Sequence, residues 1–343
     1  MSNHSITWIR DLRSTAIFGV VLLHVAYNSN HYLDIPKVDW WASLIYSSSV
    51  RFCVPIFVML TGALMLSREY VLKDFLNKKF IRLIFPFLFW GSIYLIWDLS
   101  MLKDSSTLLS ISKVILNNVY ASGISFHLWY VYMIIGLYLF IPILSKWTST
   151  ASDSELLYLL CIWFIICHLE QYEMLKLKLE LRYFSGYIGY LVLGHFFYKK
   201  TFKSNIQVRR WSGILYFVGL IATILGTNYL TAKNQFYAPS FLQNSFSLNI
   251  MCLSIGIFLS FKYAVLKPCS IRDNVSEQLS KYSYGIYLSH ILVLRFWTAM
   301  GINPLSIMPP VVGIPLFTIL CIFFSWLLVL LVEKLPFGKY LAT

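Results

Sequence analysis

The sequence is short of charge, and of negative charge above all. Asp, Glu, Lys and Arg make up 13% of its 343 residues, against about 25% in a soluble domain. Only 15 residues are acidic, beside 28 Lys and Arg, so the formal net charge is +13. So little charge beside so much apolar residue excludes a disordered chain. Paired cysteines are lacking too. Cys53, Cys161, Cys167, Cys252, Cys269 and Cys321 stand at no disulfide-like or metal-ligand spacing, so neither a disulfide scaffold nor a metal site is expected. Repeats, low-complexity tracts and linkers are also missing, which leaves one domain over residues 1–343.

What is present is apolar. Hydrophobic residues reach 58% and the mean hydropathy is +0.67. A bilayer-spanning helix needs about 20 mostly apolar residues. Ten stretches approach that length: 14–30, 42–66, 83–99, 127–145, 156–169, 184–198, 211–230, 245–265, 282–299 and 311–332. They are continuous rather than alternating, which excludes a β-barrel. With the N-terminus inside, 19 of the 28 basic residues fall on inner segments and 7 on outer ones, Arg51 and Arg295 lying within stretches. That is the positive-inside bias, and it explains the excess charge without nucleic acid. The expected fold is all-α: a polytopic membrane helix bundle of about ten transmembrane helices, with both termini cytoplasmic and the lipid bilayer as its surroundings. The first stretch follows Arg10 and Arg13 and carries no small-residue cleavage site, so it reads as a retained span. Residues 100–126 suit an interfacial helix, and the alternation over 175–182 suits an extended outer flap.

Ionisable residues at membrane depth are costly and mark function. Arg13 and His24 are 11 positions apart, which returns a helix to about 20° of its starting direction and separates them by about 16 Å along the axis. They share one stripe, with Arg13 near the inner water and His24 near the middle of the bilayer. Arg51 and His290 reach similar depth in their own stretches. Basic groups at one level without acid partners suit an anionic or acceptor-rich ligand. A single membrane histidine can equally serve only to bond a neighbouring carbonyl, whereas a buried guanidinium needs several partners. Arg295, near an outer end, is expected to snorkel. His168 and His195 are expected at helix ends, and edge Tyr and Trp in the aromatic belt.

These residues also fall into a recognisable order. Trp8 to Ala16 followed by Val20-Val-Leu-Leu-His24, with ten residues between Arg13 and His24, resembles the first helix of the acyltransferase-3 family of integral-membrane acyltransferases. Arg51-Phe-Cys-Val-Pro-Ile-Phe-Val-Met-Leu-Thr-Gly62 is similar to the family's second helix. Lys79-Phe-Ile-Arg82 matches its paired-arginine motif, with Lys at the first position. Phe126-His-Leu-Trp-Tyr130 and Tyr282-Ser-Tyr-Gly-Ile-Tyr-Leu-Ser-His290 resemble two later helices, and Glu333, before Lys334 and Pro336, resembles the acid that closes the pattern. Within the family the likeness is strongest to the type that acetylates enterobacterial common antigen, a GlcNAc-containing glycan.

The resemblance implies a ten-helix protein of the bacterial inner membrane. It would move an acetyl group from acetyl-CoA to a sugar hydroxyl of a surface polysaccharide or its lipid-linked precursor, with no permanently bound cofactor. Such chemistry needs a base, a clamp on the donor's phosphates and donors to an oxyanion. His24 is the candidate base, with Arg13 beside it. Arg13, Lys79 and Arg82 are the candidates for the donor's phosphates, and Arg51, His127, His290 and Glu333 for acceptor or oxyanion. His24 could act as base in a ternary complex or carry the acetyl group itself. The alternative reading is an exporter of polysaccharide or lipid-linked sugar. Mid-membrane acids for proton coupling and visible repeats, expected of many transporters, are missing.

Overall fold

The computed structural model describes residues 3–27, 37–101, 124–171, 186–232, 241–265, 269–302 and 307–342. The stretches expected as an interfacial helix and an outer flap lie for the most part outside them. The described residues form helices and no strand. In chain order these are α1 (Asn3–Tyr27), α2 (Lys37–Ser49), α3 (Cys53–Met65) and α4 (Leu72–Ser100). A 3-10 turn at Phe126–Leu128 leads into α5 (Trp129–Thr150), then α6 (Asp153–Gln171), α7 (Tyr187–Lys199) and α8 (Asn205–Ala232). The chain continues as α9 (Leu248–Lys262), α10 (Ser270–Lys281), α11 (Ser283–Ala299), α12 (Pro310–Glu333) and α13 (Lys339–Ala342).

Among the described residues, five helical segments are long and apolar enough to cross a membrane: Asp39–Met65, Leu72–Ser100, Phe126–Thr150, Asn205–Ala232 and Pro310–Glu333. The second apolar stretch is interrupted between α2 and α3, where residues 50–52 form a turn and Cys53 N–H bonds the Val50 carbonyl at 3.0 Å. Helix α6 starts on a reciprocal cap: Ser152 N–H donates to Glu155 Oε2 at 2.7 Å, and Glu155 N–H to Ser152 Oγ at 3.3 Å. The Ser152 N–H, with the Ser152 hydroxyl that donates to the same oxygen at 2.7 Å, holds the Glu155 carboxyl below the usual range.

Two apolar cores flank α1. Its first half, through Trp8, Ile9, Leu12 and Ala16, packs into a core shared with α3, α5, α6, α7 and α9. Its second half, through Ile17, Val20, Val21 and Val25, packs into a core shared with α4, α5, α11 and α12. A helix held from both flanks presents its remaining stripe in a fixed direction, and that stripe carries Arg13 and His24.

Close approach of α3 and α7 depends on two glycines. A Cβ at Gly62 would collide with the Leu191 carbonyl, and one at Gly194 with the Met59 carbonyl. Small residues of this kind let membrane helices pack backbone to backbone. Gly194→Val is expected to destabilise the bundle by about 1–3 kcal/mol, the usual range for overpacking, or to block its assembly. Thermal unfolding of the detergent-purified protein checks this; a parental midpoint would show that the interface yields.

A polar seam ties α10 to the start of α1. Arg10 Nη2 donates to Asp273 Oδ1 at 2.9 Å, Ser276 Oγ to Asp11 Oδ1 at 2.6 Å, and the Ser14 and Ser276 hydroxyls meet at 2.9 Å. The Arg272 guanidinium, with the Cys269 N–H, holds the Asp273 carboxyl below its ordinary range. Beyond α12, Phe337 takes the left-handed conformation at φ 62°. A non-glycine residue there costs roughly 1–2 kcal/mol. The turn returns α13 to α4, where Trp90 Nε1 donates to the Leu341 carbonyl at 3.2 Å. These two devices set α10 beside α1 and α13 beside α4.

Candidate active site

A chamber of about 690 Å³ opens between α1, α3, α4, α5, α10, α11 and α13. Arg13, Lys79, Arg82, Lys281 and Lys339 line one end of it. Aromatic side chains, Phe57, Tyr130, Tyr138, Tyr284 and Tyr287, line much of the rest, and Val20 and Val54 are among the apolar groups of the wall. Among the described residues, no carboxylate is on that wall. Cations elsewhere find acids: Arg10 and Arg272 reach Asp273, Lys200 reaches Asp153, and Arg295 reaches Asp98. Arg13, Lys79 and Arg82 make no ion pair among the described residues. An unneutralised cluster of this kind is a standing attraction for an anion.

The opposite end meets a cluster of histidines. Val20 is one helical turn before His24 on α1, so the chamber wall stops about 6 Å along the axis from it. His290 Nε2 lies 2.9 Å from His24 Nδ1. His290 Nδ1 lies 2.6 Å from the Tyr287 carbonyl and 3.2 Å from that of Ile286. Carbonyls only accept, so His290 carries its proton on Nδ1. In the neutral ring its Nε2 is then a lone pair. His24 Nδ1 must therefore be the donor, which leaves the lone pair of His24 on Nε2. The hydrogen bond on one nitrogen of each ring thus decides what the other can do.

His127 joins this group from the turn before α5. Its ring centre is 5.3 Å from that of His290 and 5.2 Å from that of Tyr94. Ser125 Oγ meets its Nδ1 at 3.1 Å, while Nε2 is buried with no hydrogen-bond partner among the described residues. Tyr287 connects the two ends: it lines the chamber, its hydroxyl donates to the His127 carbonyl, and its ring is 5.3 Å from that of Tyr130. Tyr94 braces α11 from α4, donating to the Leu288 carbonyl at 2.9 Å and accepting from Leu292 N–H at 3.0 Å.

Thus Arg13, Lys79 and Arg82 line the chamber together, and His24, His127 and His290 cluster with one another beyond its Val20 and Tyr287 wall. Arg51 is half-buried, donates to Gln243 Oε1, interacts electrostatically with His24 and keeps a buried Nε without a partner among the described residues. Glu333 is not with the histidines. Its Oε2 accepts from the Tyr282 hydroxyl at 2.6 Å, and Lys281 donates to the same hydroxyl at 2.6 Å. It therefore anchors one of the chamber's cations and does not reach the reacting end. Arg295 does not simply snorkel: it donates to Asp98 at 2.7 Å and lies over the Tyr94 ring. His195 is fully buried within α7 rather than at its end.

In the sequence, Tyr130, Tyr284 and Tyr287 stood within the quoted motifs without a role of their own, and Tyr138, one of 23 tyrosines, carried no signal at all. Lys281 and Lys339 read there as topological charge only. An anion-attracting end joined to a neutral imidazole base is the pair of features that group transfer from a charged donor needs. The model of the acyltransferase-3 family, described as an acyltransferase domain, matches residues 6–330. The chain belongs to the acyltransferase-3 family. This acyltransferase has no match among curated proteins or among solved structures. The family match takes in every candidate residue except Glu333, Lys339 and Tyr340, which lie beyond it. The membrane-length helices agree with an acyltransferase of the bilayer.

Proposed function

We propose that this acyltransferase moves an acetyl group from acetyl-CoA to a sugar hydroxyl of a bacterial surface polysaccharide or its lipid-linked precursor. The observation that carries the reading is the layout of the chamber: Arg13, Lys79 and Arg82, without ion pairs among the described residues, line it, and its Val20 wall stands one helical turn from His24. CoA has the matching asymmetry, with phosphates at one end and the thioester at the other. In this reading the bundle has ten spans in a bacterial inner membrane, both termini inside, and its basic end faces the cytoplasm. Arg13, Lys79, Arg82, Lys281 and Lys339 hold the phosphates, and the pantetheine arm runs past Tyr130 and Tyr287 towards His24.

The transfer then follows from His24 Nε2. It takes the proton of the sugar hydroxyl, whose oxygen attacks the thioester carbonyl. The tetrahedral oxyanion collapses with cleavage of the C–S bond, and the thiolate regains a proton from the His24 imidazolium, giving CoA and the acetyl ester. Arg51 and His127 Nε2, a buried nitrogen without a hydrogen-bond partner among the described residues, are the groups for the oxyanion or the acceptor. Enterobacterial common antigen is the first glycan to examine.

Membranes containing the protein are expected to transfer labelled acetyl from acetyl-CoA to a glycan, read by mass spectrometry as a gain of acetyl groups on surface glycans. Movement of glycan across the membrane with no requirement for acetyl-CoA would replace this reading with that of an exporter.

A further inference from the structure

A second pocket of about 230 Å³ lies beside the chamber and shares Arg13, Thr61, Lys79 and Tyr138 with it. Its own contributions include Arg68 and Tyr70, from the turn between α3 and α4. Three cations, Arg13, Arg68 and Lys79, line this small space with no acid among its lining. None of the three makes an ion pair among the described residues. Its rim is fixed: the Tyr70 hydroxyl donates to the Met65 carbonyl at 3.0 Å, and its ring packs 4.6 Å from that of Phe75.

The cations therefore divide into two branches. Arg82, Lys281 and Lys339 line only the chamber, Arg68 lines only the side pocket, and Arg13 and Lys79 stand on the wall between. A donor whose phosphates formed one unbranched run would need a single branch. CoA is branched: a pyrophosphate leads to the pantetheine arm, and a separate phosphomonoester sits on the ribose. A phosphomonoester carries nearly two negative charges at neutral pH and three strong acceptors, which guanidinium groups match well.

We propose that the side pocket is a phosphomonoester subsite that takes the ribose 3′-phosphate of the donor, with Arg68 as its specific ligand. This rests on acetyl-CoA being the donor. The pyrophosphate then lies across the wall at Arg82, Lys281 and Lys339. Arg68 acts in donor recognition and does not touch the transferred group.

The test uses the full-length protein in nanodiscs of neutral lipid, with acetyl-CoA and 3′-dephospho-acetyl-CoA as paired donors. For the parent, removing the 3′-phosphate is expected to raise KM about ten- to a hundredfold, the scale of one charge-assisted contact. Arg68→Gln is expected to raise KM for acetyl-CoA by a similar factor and to leave KM for the dephospho donor at the parental value. Arg82→Gln is expected to raise KM for both. Arg68→Lys, which keeps the charge and loses the bidentate fork, falls between. A parent indifferent to the 3′-phosphate overturns the proposal without recourse to any variant. An Arg68→Gln effect equal for both donors overturns it as well. An equal effect confined to nanodiscs containing phosphatidylglycerol assigns the pocket to a lipid phosphate instead. Turnover with neither donor defeats the donor reading itself, an outcome separate from turnover that ignores the 3′-phosphate.

Discussion

His24→Ala is expected to slow acetyl transfer by about 10²- to 10⁴-fold, the range that a positioned general base supplies. Binding of acetyl-CoA should change little, because the cations that attract it stand at the other end of the chamber, with Arg13 about 16 Å along α1 from His24. The fold should survive, since His24 is only half-buried and the apolar anchors of α1 are elsewhere on the helix. Three measurements on one preparation make the test: extracted yield, equilibrium binding of acetyl-CoA and single-turnover transfer. A variant that folds, binds and still transfers at the parental rate would remove His24 from the mechanism. Loss of binding together with transfer would place His24 in the donor site. The same preparation distinguishes direct transfer from an acetyl-imidazole. Labelled acetyl retained on the parent after exposure to acetyl-CoA alone, and missing from the variant, marks the covalent route.

Helical class was legible because composition and long apolar stretches carry it, and both are properties of the chain rather than of its packing. The Arg13–His24 stripe was legible for the same reason: a helix of fixed period sets it locally. What lies across the bundle was not. His24 and His290 are separated by 266 positions yet meet at 2.9 Å. Sequence placed both at mid-depth and could not say that α11 lies against α1. Arg295 read as a residue reaching for headgroups, but Asp98 on α4 was within its reach and a charge at that depth takes the partner. The tyrosines show the limit from another side. Aromatics are so frequent here that a belt residue and a chamber residue look alike, and only burial separates Tyr287, at 7% exposure, from Tyr229, at 56%. Glu333 fits the family pattern by position, but its distance from the histidines follows from its place at the end of α12, far along the helix axis.

His290→Leu is expected to slow transfer roughly 10²-fold while leaving acetyl-CoA binding unchanged. Removing the ring takes away the His290 acceptor of His24 Nδ1–H and leaves the Val20 carbonyl as the backbone partner of the His24 ring, so the tautomer with its lone pair on Nε2 is less strongly held. Loss of a charged orienting carboxylate in a Ser–His–Asp triad costs about 10⁴-fold. A neutral acceptor enforces the tautomer less strongly, so the smaller figure is expected. The conservative variant separates orientation from packing. His290→Gln can place an amide oxygen near the position of Nε2 and accept the same hydrogen bond. It is therefore expected to recover most of the rate, whereas Leu, of comparable bulk, does not. The contact has no role in catalysis if the Leu variant matches the parent, and it is only packing if Leu and Gln are equally slow. Two helices distant in sequence are joined here: α11 fixes its own imidazole on its own carbonyls. That imidazole meets the one on α1, so the direction of the His24 Nε2 lone pair is set within the bundle itself.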